Sequence, residues 1–439
     1  MNEQPDLLEG AKAVLDMNFK GVYTAPSDSV YPHQWLWDSC FIAIGLRHYD
    51  IERAKQEILS LLEGQWHNGM LPNMIFTETG TGRRHAGIWN SAVNPNSPDD
   101  RATSGITQPP MLAEAIVLVG EKLKKSERRA WYRQTYPALL KYHEWLYQER
   151  DPHKEGLVLQ IHPWETGLDN TPPWMQEMHE HQLAYWIRAV KMLRLGGIIN
   201  VFRNDTKRIP ASQRIDIIDA FGLFSTQRRL RRKGYDINRI LRHSLFAIED
   251  LTFNCIFIRA NQHLQDIAAF IKEDLPSELV ADMQRTENAL EQLWDEYSGQ
   301  FYSRNFVTHT FLKQSTIATL MPLYAGVIPK KKAKQLVGLL ENQFSFGTAY
   351  PVPSVPVSSP LFDEDGYWQG PTWINTNWLI IDGLRRMGYE DHAEALKQST
   401  LEMVQRGGFH EYFKPNSGEP AGADNFSWTA ALTIDLLKR

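Results

Sequence analysis

The chain has 439 residues, 42% of them hydrophobic, with a formal net charge of -5. That length fits one large domain with insertions or two domains, with enough apolar material for a sizeable core. The mild acidity argues against a nucleic-acid binder, which shows a concentrated basic stripe. Two cysteines are too few for a disulfide framework or a cysteine-rich zinc site. No uninterrupted apolar run reaches the roughly 20 residues of a membrane span.

Helical periodicity dominates the chain in order. The first residues lack the basic and apolar regions of a signal peptide, which points to a cytoplasmic protein. Leu7, Leu8, Ala11, Val14 and Leu15 share one face of a helix over residues 6–17. A second helix is expected near 34–48. A third, over 50–63, starts at Asp50 as its N-cap. Residues 66–107 then form a loop long enough to be functional. Further helices are expected near 108–124, 126–147, 180–200, 244–273, 276–296, 313–325, 330–343, 372–387, 389–405 and 425–438. Long loops at 344–371 and 406–424 separate the last of these. Strand signals are confined to 157–161 and 299–305. Cys40 and Cys255 lie in apolar helical patterns and read as buried, reduced thiols. From Arg203 to Arg242 there are nine Arg and two Lys against four Asp. That stretch reads as a solvated helical face, with anion attraction as the alternative.

Helices in pairs joined by long loops suit an all-α ring of helical hairpins. An (α/α)6 barrel needs twelve helices, which is about the count found. No exact repeat is present, so the ring would be a toroid rather than a solenoid of near-identical units. No linker marks a boundary, so residues 1–439 read as a single domain.

The loops carry the chemistry. Fourteen Trp are many for this length, and aromatic faces suit the C–H faces of sugar rings. Tyr31, Trp35, Trp37 and Asp38 crowd one helix start. There a carboxylate beside aromatics serves a sugar's hydroxyls, or else the rings pack and Asp38 caps the helix. His162 to Asn170 holds Glu165 and Asp169 in a loop, and Gly408 to Phe413 holds Glu411. A glycosidase needs one protonated acid for the leaving oxygen and a second carboxylate for water or carbon. In a chain with 52 acidic residues spacing alone cannot single out that pair. Around Gly370, which lets backbone approach a ligand closely, Tyr367, Trp368, Trp373 and Trp378 lead into a helix. Trp373 and Trp378 are five apart and do not share one face, so one is expected in a cleft and the other in its wall.

These segments, YPHQWLWDS, SGITQPPM, HPWETGLDN, YWQGPTWINTNWL and GFHEYFKPNSGEPAGADNFSWTAAL, resemble glycoside hydrolase family 63. They are most similar to its compact bacterial members that hydrolyse mannosylglycerate or glucosylglycerate. The resemblance runs in order from about residue 25 to the C-terminus. It implies an (α/α)6 barrel and an inverting mechanism, with Asp169 as general acid and Glu411 as general base. It places the sugar pocket at Tyr31, Trp35, Trp37, Asp38, Gln108, Tyr367, Trp368, Gly370 and Trp373. A glycerate aglycone calls for an arginine fork. Arg203, at the start of the inserted region that lids the cleft in family members, is nominated, with Arg83, Arg84 and the arginines at 228–232 as rivals. The lid insertion is expected over 200–245, with 66–107 and 205–240 as mobile segments. Glu165 is expected either to raise the Asp169 pKa or to serve as a structural partner.

The expected partner is therefore a small carbohydrate substrate, with no nucleic acid or membrane, and with self-association left open. No cofactor or metal is expected, because His33, His85, His162, His179 and His410 form no tight ligand pair. An ion held by loop carboxylates stays open. The competing readings are a trehalase-like enzyme with a neutral aglycone, a catalytically idle carbohydrate-binding relative, and a lyase or epimerase.

Overall fold

The computed structural model describes residues 7–181, 187, 209–242, 244 and 246–439. The first six helices among them are α1 (Leu7–Met17), α2 (Leu36–Leu46), α3 (Ile51–Leu62), α4 (Gly80–Trp89), α5 (Leu112–Glu121) and α6 (Lys125–Arg150). Then come α7 (Pro172–His181), α8 (Ile217–Arg232), α9 (Ile237–Leu241), α10 (Leu251–Ile271) and α11 (Ser277–Ala289). The chain ends with α12 (Pro322–Ala325), α13 (Lys330–Glu341), α14 (Ile374–Arg386), α15 (Glu390–Gly407) and α16 (Ser427–Lys438).

Six of these close a ring. α2 packs on α5, α5 on α10, α10 on α12, α12 on α14, α14 on α16, and α16 back on α2. A second layer of α1, α3, α6, α11, α13 and α15 packs around it, and inner and outer helices alternate along the chain. This is the (α/α)6 barrel. Its two layers follow from composition. Every residue of α2 is buried, and a helix apolar all round belongs inside. α3 buries Ala54, Ile58 and Leu61 on one face and lies outside. Asp50 caps α3 by accepting from Arg53 N at 3.1 Å.

Two buried carboxylates each join three inner helices. Asp435 of α16 accepts from Arg47, which ends α2, and from Trp378 of α14, both at 2.7 Å. Glu114 of α5 meets His263 of α10 at 2.6 Å and Tyr324 of α12 at 3.0 Å. Cys40 and Cys255 are buried free thiols in inner helices. No helix among the described residues is long and apolar enough to cross a membrane.

Several local expectations need correction. Residues 157–161 form no strand, and Gln160 makes only an isolated bridge to Ile248. The helix expected over 244–273 starts at Leu251, where the Asp250 side chain accepts from Phe253 N. Over 313–325 the α-helix is confined to Pro322–Ala325, because Pro322 cannot bond backward and fits the first turn. The 66–107 segment is no bare loop: it contains α4 and a strand, Met74–Ile75, paired with Gln34–Trp35. The helix expected near 180–200 lies largely outside the described residues, as does the first part of the 200–245 insertion.

Candidate active site

Because inner helices alternate with outer ones along the chain, their starts gather at one end of the ring. Trp35 immediately precedes α2, and Trp37 and Asp38 occupy its first turn. Gln108 lies just before α5, Trp368 before α14, and Trp428 in the first turn of α16. With Tyr31, Tyr367, Asp169 and Glu411 they line one pocket. Asp38 is therefore a pocket residue and not a helix cap.

The two acids stand in contrasting settings. Glu411, 1% exposed, is held by donors. Tyr31 Oη donates to Oε1 at 2.9 Å and Tyr367 Oη at 3.3 Å. Ala423 N donates to Oε2 at 3.0 Å, and Arg214 Nη1 stands 3.5 Å from it. Tyr367 has a left-handed φ of 62°, an uncommon conformation for a bulky residue. Behind the carboxylate, a Cβ on Gly422 (φ 73°) would come 2.8 Å from Oε2. Asp169 is partly accessible. Burial pushes its pKa up to about 7; Arg214 opposes the rise and the charge of Glu411 adds to it. Burial also pushes Asp38 well above the usual carboxylate range, with Glu411 and Asp169 adding to the rise.

Local contacts hold the Asp169 loop. Gly167 (φ 75°) passes against Trp37, where a Cβ would lie 2.6 Å from the indole, so any side chain there is excluded. Asn170 accepts from Trp368 N at 2.9 Å and donates to Gly366 O at 3.1 Å, tying the acid to the aromatic wall. Glu165 proves structural. It pairs with Arg150 through two hydrogen bonds of 2.7 and 3.0 Å. It also accepts from Ile161 N at 2.7 Å and Thr107 N at 3.2 Å. This pair joins the Asp169 loop to the segment carrying Gln108. Both residues are at most 3% exposed, and removing one partner of a buried pair costs about 3–5 kcal/mol. Arg150→Met should lose stability on that scale in urea unfolding, and Glu165→Gln added to it should restore a large part.

Three sequence expectations change. Trp373 is fully buried and stacks flat behind Trp368, with centroids 3.7 Å apart; it supports the wall without lining it. Trp378 is buried too, donating to Asp435, so the expected division between cleft and wall fails. Gly370 is small because a Cβ would strike the Asp363 carbonyl, so its close approach is to protein backbone. Arg203 lies outside the described residues. Of its rivals, Arg231 donates to the backbone of Gly87 and Ile88, fastening α8 to α4.

The sequence reading missed Arg214, whose guanidinium lies 5.5 and 5.1 Å from the ring centres of Tyr31 and Tyr367. It also missed Phe426 and Trp428, which line the pocket. Trp428 meets Trp37 edge-on at 5.5 Å. The signal for Trp428 was its place in the final aromatic segment; Arg214 was submerged in the basic stretch. Among the described residues, no three His, Cys, Asp or Glu gather in a way that could hold a metal ion.

A helical barrel with a high-pKa carboxylic acid and a donor-held carboxylate in one tryptophan-lined pocket has the parts of a glycoside hydrolase. Comparison with known proteins agrees. A family model, the mannosylglycerate hydrolase MGH1-like glycoside hydrolase domain, matches residues 31–429. The mannosylglycerate hydrolase of Thermus thermophilus is 36% identical over 97% of this chain and 99% of its own. The glucosylglycerate hydrolase of Mycolicibacterium hassiacum is 31% identical over 97% and 96%. A crystal structure of the glycoside hydrolase family 63 mannosylglycerate hydrolase from Thermus thermophilus, in complex with Tris and D-glycerate, superposes with a TM-score of 0.87 at 36% identity. It covers 99% of this chain and 100% of the other. The chain belongs to the mannosylglycerate hydrolase MGH1-like glycoside hydrolase family, and it is a glycoside hydrolase.

Proposed function

We propose that the chain cleaves mannosylglycerate or glucosylglycerate with inversion, releasing hexose and glycerate. Asp169 gives its proton to the glycosidic oxygen as the bond to the anomeric carbon breaks. Glu411 takes a proton from the water that attacks the opposite face. The observation that carries this is the pairing in one pocket of an acid raised to about 7 with a carboxylate gripped by donors. An inverting enzyme separates two such groups by roughly 6.5–9.5 Å to admit the water. Trp35, Trp37 and Trp368 offer apolar surface to the sugar ring, while Asp38 and Gln108 offer hydrogen bonds to its hydroxyls. The names of the full-length relatives support the glycerate aglycone. Such a substrate is a small charged solute, and the activity would recover hexose and glycerate from a compatible solute in the cytoplasm.

Arg214 is the arginine this reading assigns to the glycerate carboxylate, in place of Arg203. It stands beside Glu411 and the two tyrosine rings. A charge-assisted hydrogen bond contributes about 1.5–3 kcal/mol. Arg214→Ala should therefore lower kcat/KM for a glycerate glycoside by about 10- to 100-fold more than for a neutral one. Equal losses would assign Arg214 to Glu411 alone.

The direct test is a proton NMR time course with mannosylglycerate, glucosylglycerate and trehalose. The expected first product is β-hexose from a glycerate glycoside. First appearance of α-hexose would refute inversion. Cleavage of trehalose alone would refute the charged aglycone.

A further inference from the structure

We infer that Gln213 is a positioning residue for Glu411, setting both groups that hold Oε2 of that carboxylate. The inference rests on the role proposed above for Glu411. It adds a residue that stands outside the pocket lining and acts through the base.

The backbone shows how one residue reaches both groups. In the short helical turn Ala211–Gln213, Gln213 N donates to Pro210 O at 2.9 Å. Half-buried, Gln213 lies against the hairpin of Tyr412–Phe413 and Pro420–Ala421. Its side-chain Oε1 accepts from Gly422 N at 3.1 Å, and its carbonyl accepts from Tyr412 Oη. Tyr412 follows the base directly in the chain. Gly422 precedes Ala423, whose N–H donates to Glu411 Oε2 at 3.0 Å. Arg214, next after Gln213, brings Nη1 to 3.5 Å from the same oxygen. Pinning Gln213 to the hairpin therefore fixes both contacts to Oε2. Two residues beyond Arg214, Asp216 caps α8 by accepting from Ile218 N at 2.8 Å, so Arg214 sits on a short span anchored at both ends.

The seat is specific in its chemistry. Gly422 has φ 73°, and a Cβ there would meet the Tyr412 ring at 2.6 Å, so its peptide runs tight against the strand that carries the base. Its N–H needs an acceptor. Glutamine and glutamate supply one, and methionine, of similar length, does not. Charge adds a second consequence. Arg214, Glu411, Asp38 and Tyr367 all lie within electrostatic reach of Asp169. Arg214 is the cation among them and opposes the rise in the Asp169 pKa. An Arg214 displaced from its seat leaves that rise less opposed.

Hydrolysis of a hexosyl fluoride tests this, because it needs the base and not the acid. Gln213→Met should lower kcat about three- to tenfold, the scale of one neutral hydrogen bond, with KM unchanged. Gln213→Glu, which keeps the acceptor, should retain most of the turnover. Azide attacks without a base and should relieve the Gln213→Met loss. With the glycerate glycoside, the alkaline limb of the rate profile should move to higher pH in Gln213→Met. An unaltered fluoride rate with an unmoved limb would overturn the inference. So would a loss that Gln213→Glu shares and azide does not relieve, which would make Gln213 a structural contact only. Tyr412→Phe removes the second tie and keeps the ring. It should show the same pattern, and if Gln213→Met does not fold, an unchanged rate in Tyr412→Phe overturns the inference. Glu411→Gln separates the two readings. Loss there without loss in Gln213→Met fails this inference alone, whereas a spared fluoride in Glu411→Gln fails the base assignment itself.

Discussion

Asp169→Asn should lower kcat/KM for the glycerate glycoside by about 10²- to 10⁴-fold, the usual contribution of a general acid. The same variant should hydrolyse a hexosyl fluoride at close to the unaltered rate, because fluoride leaves without a proton. That contrast separates loss of proton donation from loss of the pocket, which would depress both substrates. The pH profile gives an independent readout. Asp169 acts in its protonated form and its pKa is raised to about 7. The rate should hold below that value and fall as pH rises through it. Stability has the same sign. A carboxyl with a raised folded pKa stabilises the fold at pH below its ordinary value, and that contribution is lost as pH climbs through about 7. The variant should therefore lose less stability than the unaltered protein between pH 5 and pH 8, by urea unfolding. An unchanged upper limb in the rate profile would remove Asp169 from the acid's role.

The fold was largely legible because helical burial is written at a period of 3.6 residues. Leu36 to Leu46 reads as apolar on every side, and it is an inner helix. Ring closure was less visible, since α1 packs on α16 from the far end of the chain and no local pattern announces that. The site was legible where an aromatic and an acid share a short segment, as at Trp35, Trp37 and Asp38. It was illegible where depth decides. Trp368 and Trp373 sit in one motif, yet one lines the pocket and the other stands behind it. The turn through Gly366 and the left-handed Tyr367 sets that difference, and composition does not encode it. Glu165 and Asp169 are equally acidic in sequence. Their roles diverge because Arg150, a helix end away, reaches one of them and not the other.

Glu411→Gln should lower turnover by about 10²- to 10⁴-fold with the glycerate glycoside and the hexosyl fluoride alike. Water must be deprotonated whatever group leaves, so a better leaving group cannot relieve the loss. The pocket should survive the change. The amide nitrogen can face Tyr31 and Tyr367, whose hydroxyls rotate to accept. The amide oxygen can then face Ala423 N and Arg214, which can only donate. Azide attacks without a base, so it should restore turnover with the fluoride and yield the β-hexosyl azide. An α-azide would mean attack from the wrong face. A variant that spared the fluoride and lost the glycerate glycoside would exchange the roles of Asp169 and Glu411.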